Sequence, residues 1–313
     1  MFLNTLEKKL SIIVPCYNEE ESIPLFYAEV QKQGAFFSEK GVETEFIFVD
    51  DGSRDKTAEV VRLLREKDER VHLVSFSRNF GKEAAIFAGF ERAAGDIVVL
   101  MDADLQDPPA LLPEMYSHIQ NGYDSVATRR VDRKGEPPVR SWFARRFYGL
   151  MHKISKTDIV DGARDYRMMT RQFVDAVLSM KEYNRFSKGI FGWVGFKTKW
   201  LEYENIERAA GETKWSFWKL FLYSLEGIMA FSTAPLVLPL IFGILFCIAS
   251  VVFLISAIIM AANGYDASIL TIAFIIAFIG GIQLCCLGVV GMYFSKLYGE
   301  VKNRPKYLIK DEF

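Results

Sequence analysis

Short apolar runs alternate with amphipathic stretches through the first hundred residues. Ser11–Pro15, Glu45–Val49, Val71–Ser75 and Ile97–Met101 have the length and β-rich composition of strands. Between them, Glu20–Gly34, Lys56–Glu66 and Lys82–Ala94 read as helices, and Gly95 supplies a stop before the fourth strand. This βαβα rhythm predicts an α/β domain with a mostly parallel sheet, whose ligands gather beyond the carboxyl ends of the strands. Three polar segments fall at those ends: Pro15-Cys16-Tyr17-Asn18, Asp50-Asp51-Gly52 and Asp102-Ala103-Asp104. Their shared position points to a site more strongly than any one of them.

The pattern changes toward the C-terminus. Gly227 to Tyr265 and Ala267 to Ser295 contain no charged residue, and only Asp266 separates them. Each run exceeds the roughly 20 residues that a helix needs to cross a bilayer, so two C-terminal transmembrane helices are expected. Lys214 and Lys219 precede the pair, and Lys296, Lys302, Arg304 and Lys306 follow it, whereas Asn263–Asp266 has no Lys or Arg. By the positive-inside bias, the polar domain and both termini are expected in the cytoplasm. No signal-peptide pattern opens the chain, since its first apolar segment is only Leu10–Val14.

Two further segments invite a membrane-surface reading. Between Arg129 and Lys153 there are eight Lys/Arg residues against Asp132 and Glu136. There Phe143, Phe147, Leu150 and Ile154 recur at helical spacing, as in an interfacial helix on anionic lipid or a helix covering the polar domain. Trp215 to Phe231 is aromatic-rich and reads as an in-plane helix. The formal net charge of −1 over 313 residues argues against a nucleic-acid surface. The four cysteines show no paired spacing, so neither a disulfide nor a zinc site is implied.

Asp102 and Asp104 follow an apolar strand, and two carboxylates one residue apart can converge on a hard divalent cation. Mg2+ or Mn2+ would bridge them to a diphosphate and neutralise charge on a leaving nucleotide. The same pair could instead cap a helix, although Gln106-Asp107-Pro108-Pro109 behind it favours the metal. Asp50 and Asp51 can accept from a base or from ribose hydroxyls, with Gly52 permitting a tight turn. Asp55 and Thr57 read as helix-start residues. Pro15, Tyr17 and Glu19 are placed to frame a base and ribose, or to pack. Arg78 and Lys82 flank Asn79-Phe80-Gly81, where they would meet donor phosphates or sit on a solvated helix start. There is no GxGxxG or Walker A pattern, which excludes the standard dinucleotide and P-loop chemistries.

These segments, with Asp161-Gly-Ala-Arg-Asp-Tyr-Arg167, Asn184-Arg-Phe186 and Arg208-Ala-Ala-Gly-Glu-Thr-Lys-Trp215, resemble the polyprenyl-phosphate glycosyltransferases of glycosyltransferase family two, related to dolichol-phosphate mannose synthase. The resemblance covers nearly the whole chain. It implies a GT-A nucleotide-sugar fold, a divalent cation and a polyprenyl phosphate acceptor. Asp50 then looks like a base contact, and Asp102, Ala103 and Asp104 like the diphosphate–metal segment, with Gln106 beside it. Asp165 resembles the aspartate near sugar and acceptor phosphate and is the general-base candidate, with Asp161 as the alternative. Arg208 and Lys214 resemble acceptor-side cations, and Arg185 is a third candidate. Arg164 departs from the family's shorter Gly/Ala-Gly-Asp core, and Thr213 stands where Ser is common.

The expected organisation is a GT-A domain over 1–212, an interfacial helix over 213–231, a transmembrane hairpin over 232–296 and a tail over 297–313. The expected activity is inverting transfer of a hexose, glucose from UDP-glucose, to undecaprenyl phosphate for cell-envelope glycan modification. UDP-N-acetylglucosamine, UDP-galactose, a UDP-aminoarabinose derivative and GDP-mannose are the other donors to weigh, and a non-catalytic membrane scaffold is the reading outside enzymology. The resemblance also implies a multi-pass protein of the bacterial inner membrane in contact with lipids, and a homo-oligomer, a tetramer. A processive polymerase is disfavoured because no Gln-x-x-Arg-Trp motif is present.

Overall fold

The computed structural model describes residues 8–130, 163–183, 185–203, 259, 263 and 268–313. The chain divides into two compact units, Met1–Ser224 with Pro305–Phe313, and Leu225–Arg304. The first unit runs β1 (Lys8–Cys16), α1 (Ser22–Gln31), α2 (Gly34–Glu39), β2 (Val42–Asp50), α3 (Thr57–Arg65), β3 (Val71–Phe76), α4 (Lys82–Arg92) and β4 (Ile97–Leu100). It continues with a 3-10 turn (Pro109–Leu111), α5 (Leu112–Gln120), β5 (Ser125–Arg130), β6 (Ala163–Thr170), α6 (Arg171–Ser179), α7 (Ser187–Trp193) and β7 (Thr198–Tyr203). A C-terminal strand, which is β8 (Ile309–Glu312), completes it.

The eight strands form one sheet in the order β7-β5-β6-β4-β1-β2-β3-β8. Strands β4, β1, β2 and β3 are parallel, as the βαβα rhythm requires. Beyond them β6 is antiparallel to both β4 and β5, β7 is parallel to β5, and β8 is antiparallel to β3. Leu10–Val14 of β1 is wholly enclosed because this strand lies inside a sheet covered on both faces. On one face Leu10, Ile12 and Val14 join Phe26, Phe46, Phe48 and Met115 in the main core. On the other face Ile13 meets α4, where a Cβ at Gly89 would lie 2.2 Å from the Ile13 Cγ2. The bare glycine is what lets α4 settle directly on β1.

All four expected strands and all three expected helices are present, with shifted ends. Strands β1 and β2 begin three residues early because Lys8↔Val42 and Lys9↔Glu43 extend the ladder through backbone pairing. Apolar patterning does not register such pairing. The C-terminal strand carried no strand signal. Its backbone pairs with β3, Leu73 and Phe313 exchange N–H···O bonds of 2.9 and 3.1 Å, and Tyr307 stacks on Phe76 at 4.8 Å.

The expectation of two transmembrane helices is corrected. Among the described residues, no helix is long and apolar enough to cross a membrane. The multi-pass inner-membrane location with cytoplasmic termini, which rested on those spans, falls with them. Absence of charge permits a span but does not by itself establish one. From Ser268 onward the second uncharged run lies in one helix, α8 (Ser268–Val301), after which Asn303 turns with φ 47°. Most of the first run, the basic segment near 140–155 and the aromatic segment 215–231 lie outside the described residues.

Candidate functional site

The loops that leave β1 and β2 are laced together at the carboxyl edge of the sheet. The Asp51 N–H donates to the Cys16 carbonyl at 2.9 Å, and the Asn18 N–H donates to Ser53 Oγ at 2.9 Å. The Arg54 N–H returns a bond to Asn18 Oδ1 at 2.9 Å, and the Glu19 N–H donates to Thr57 Oγ1 at 2.8 Å. Thr57 Oγ1 in turn donates to Asp55 Oδ1 at 2.6 Å, so Asp55 and Thr57 serve the start of α3. Pro15, Tyr17 and Glu19 are half-buried along this seam.

Asp50 and Asp51 are almost wholly buried and are held by neutral donors. Asp50 accepts from the Ser53 N–H at 2.9 Å and from Ser75 Oγ at 2.8 Å. Asp51 accepts from the backbone N–H groups of Phe80 at 2.6 Å and Gly81 at 2.9 Å. Burial pushes the Asp51 carboxyl up to about 6, against the opposing pull of those two N–H groups. Gly52 between the loops has φ 67°, and a Cβ there would lie 2.3 Å from the Arg78 carbonyl carbon. The two loops therefore meet through glycine backbone. Arg78 is exposed, with its guanidinium 4.0 Å from the Phe80 ring centre.

Beyond β4, the Met101 N–H donates to the Ile13 carbonyl at 3.0 Å, which carries the sheet register up to the acidic turn. Ala103 is buried, Leu105 has φ 56°, and Asp104 Oδ1 accepts from the Gln106 N–H at 3.2 Å. A leucine in the left-handed region is uncommon, and such strain clusters at functional turns. Lys82, the first residue of α4, reaches Asp102 Oδ1 at 2.7 Å and Asp165 Oδ2 at 2.6 Å. One ammonium thus joins the end of β4 to β6. Burial alone would raise the Asp165 carboxyl, but Lys82, Lys188 and Arg164 hold it well below the usual carboxylate range. Burial would likewise lower Lys82, yet Asp102 and Asp165 hold it above its ordinary value.

A divalent cation fits this turn only if it brings other ligands. Among the described residues, no group of three or more His, Cys, Asp or Glu could hold a metal. Two carboxylates suffice for Mg2+ or Mn2+ when the remaining ligands are diphosphate oxygens and water. The Lys82 ammonium between Asp102 and Asp165 marks the place as one that accepts positive charge.

The departure at Arg164 has a structural role. Its Nε donates at 3.1 Å to Asp107, a carboxylate 1 % exposed, which also accepts from the Tyr203 hydroxyl. Arg164 therefore ties β6 to the Gln106-Asp107-Pro108-Pro109 segment, where Tyr166 also donates to the Pro108 carbonyl at 3.3 Å. Arg185 donates to the Met180 and Val177 carbonyls at 2.6 and 3.3 Å and lies over the Phe87 ring. It closes the end of α6. Asp161, Arg208 and Lys214 lie outside the described residues.

Several residues of this region escaped the sequence reading. Glu83 accepts from the Ser187 N–H at 3.0 Å and from its hydroxyl, which fixes the start of α7 against α4. Asp107 and Tyr203 anchor the acidic turn. Lys188 sits near Asp165 and donates to the Ala163 carbonyl at 2.9 Å. Only Asp107 had a local signal, through the prolines that follow it.

The sequence profile of Glycosyl transferase family 2 matches residues 11–178. The protein CsbB of Bacillus subtilis is 42% identical over 304 residues, which cover 96% of this chain and 91% of that one. A prophage bactoprenol glucosyl transferase homolog of Escherichia coli is 41% identical, covering 96% of this chain and 98% of its own. The bactoprenol glucosyl transferase of Shigella phage SfV is 40% identical, covering 97% and 99%. Identity of this extent reaches across both compact units, and the chain belongs to glycosyl transferase family 2.

Proposed function

We propose that this chain transfers a hexose, glucose, from a UDP-sugar to bactoprenol phosphate. The likeness to bactoprenol glucosyl transferases over almost the entire chain supports this reaction class. The geometric observation that carries the reading is the Lys82 ammonium shared by Asp102 and Asp165. It brings the end of β4, read as the donor side, within one side chain of β6, read as the acceptor side.

In this reading the laced loops after β1 and β2 receive the nucleotide, with Asp50, Tyr17 and Glu19 around base and ribose. Asp51 acts indirectly, by fixing the Phe80–Gly81 turn from which Lys82 springs. Asp102 and Asp104 would hold Mg2+ or Mn2+. When bound, that cation would neutralise the diphosphate as it leaves. The phosphate oxygen of the acceptor attacks the anomeric carbon from the face opposite the departing UDP, which inverts that centre. Since this nucleophile is already anionic at neutral pH, no strong base is required. Asp165, kept ionised by its cationic neighbours, orients the acceptor or takes a residual proton. Arg208 and Lys214 would offset repulsion between the acceptor phosphate and these carboxylates. Arg185 is the third acceptor-side candidate, although its guanidinium is engaged at the end of α6. A tetramer is proposed on resemblance alone, and light scattering of the full chain tests it.

The test of the reaction is transfer of radiolabelled sugar to undecaprenyl phosphate by the full chain in detergent. UDP-glucose is scanned against other UDP-sugars and GDP-mannose, with and without divalent cation. A lipid-linked product from UDP-glucose is expected. No product from any donor would refute catalysis, and preference for another sugar would overturn glucose alone.

A further inference from the structure

Residues of β6, α7 and β7 line a cavity of about 250 Å³ that the reaction as described does not use. Arg164, Arg167, Lys188, Phe191, Thr198 and Trp200 are among the residues that line it. None of the described lining residues is acidic. Of the nearby carboxylates, Asp107 accepts from Arg164 and Tyr203 through Oδ1 while its buried Oδ2 has no partner, and Asp165 is paired with Lys82.

Arg167 is the unusual member. It is 4 % exposed, on a strand where Tyr166, Met168 and Met169 are all buried. Its Nη1 donates to Ser125 Oγ at 3.0 Å, while its Nε has no hydrogen-bond partner. The guanidinium lies 4.7 Å from the Phe191 ring centre and 5.4 Å from that of Trp200. Aromatic faces offset part of the cost of burying a cation, but they leave its N–H groups without acceptors. Burial pushes Arg167 down to about 10, with Asp165 opposing, so it remains charged at neutral pH. Lys188, at the start of α7, spends one of its three N–H bonds on the Ala163 carbonyl.

We propose that this cavity is a binding site for a phosphate-class oxyanion, held by Arg167 and Lys188. The volume lies below the roughly 300–1,000 Å³ of drug-sized pockets and suits a small anion with water. An anion there would offset the buried Arg167 charge and meet the Lys188 N–H groups that the Ala163 carbonyl does not use. Two sources carry this chemistry, the phosphate head of the lipid acceptor and free inorganic phosphate. The first rests on the proposed function, and the second does not.

The test is calorimetric titration of the full chain in detergent with inorganic phosphate, in excess UDP so that the donor site is filled. Saturable binding is expected, weakened about tenfold or more in Arg167→Met and in Lys188→Met, the loss of one charge-assisted hydrogen bond. UDP affinity, titrated separately without phosphate, should be the same in the variants as in the parent chain. Should Arg167→Met fail to fold, Lys188→Met at the start of α7 still decides the matter. No saturable phosphate binding, or binding that neither substitution changes, overturns the site. A parallel titration with dodecyl phosphate separates the sources. Affinity tenfold above that of inorganic phosphate assigns the cavity to the acceptor head, and equal affinity assigns it to free phosphate. Phosphate binding without any sugar transfer would leave this site standing while the proposed reaction fell.

Discussion

Both halves of the sheet bury charge, but they do so by different means. In the β1–β2–β3 half the buried groups are aspartates, and their partners are backbone N–H groups and hydroxyls of adjacent loops. In the β5–β6–β7 half the charges are the half-buried Arg164 and the buried Arg167, held by one remote carboxylate, by a serine hydroxyl and by aromatic rings. Backbone donors are fixed by the fold and cannot swing away, which suits the nucleotide site proposed for the first half. Side-chain cations over rings leave a net positive charge, which suits the acceptor role proposed for the second half. Lys82 sits where the two halves touch.

The largest effect expected from breaking this comparison is at the acidic turn. Asp102→Asn or Asp104→Asn should lower sugar transfer by about a thousandfold, roughly 4 kcal/mol in the barrier. The melting temperature should barely change, because neither carboxylate packs a core. Transfer assays and thermal melts on the same preparations check this. Near-normal turnover would remove the turn from the reaction.

Arg164→Met probes the other half. It leaves Asp107 buried with Tyr203 as its remaining partner, and should cost about 3 kcal/mol in urea unfolding. A loss below about 1 kcal/mol would mean that the ion pair is dispensable.

Gly52→Ala tests how tightly the first half is built. The positive φ and the 2.3 Å approach to the Arg78 backbone predict a loss of about 2 kcal/mol together with weaker UDP binding. Unchanged UDP affinity would separate the seam from nucleotide recognition.

The smallest effect concerns pH. The folded chain holds a proton on Asp51 more readily than the unfolded chain does, with its carboxyl raised from 3.8 to about 6. Stability from this group is therefore complete below the ordinary carboxylate range and is lost as pH rises through about 6. Urea midpoints measured between about pH 4 and pH 7 should fall less steeply in Asp51→Asn than in the parent chain. Parallel slopes would show that Asp51 titrates normally.

The first half was legible in the sequence because its elements are local. Ile97–Met101 reads as a strand from five consecutive apolar residues, and Asp102 and Asp104 follow it directly. The second half was not. Arg167 was visible only as a letter in a motif, and its burial depends on Phe191 and Trp200, which come from a helix and a strand further along the chain. The C-terminal strand was invisible for the same reason, since its pairing with β3 is a backbone event between distant segments. The second uncharged run teaches the opposite lesson, that a strong local pattern does not by itself make a described helix a membrane span.

By itself the sequence determined the βαβα order, the placing of Asp50, Asp51, Asp102 and Asp104 at strand ends, and membership of a glycosyltransferase family. Each follows from side-chain periodicity or from residues adjacent in the chain. Only the tertiary structure decided that Lys82 joins Asp102 to Asp165, that Arg164 belongs to Asp107, and that Arg167 is left charged beside a cavity. Partner choice between buried charges depends on which strands become neighbours, and that is set by the packing of the whole sheet.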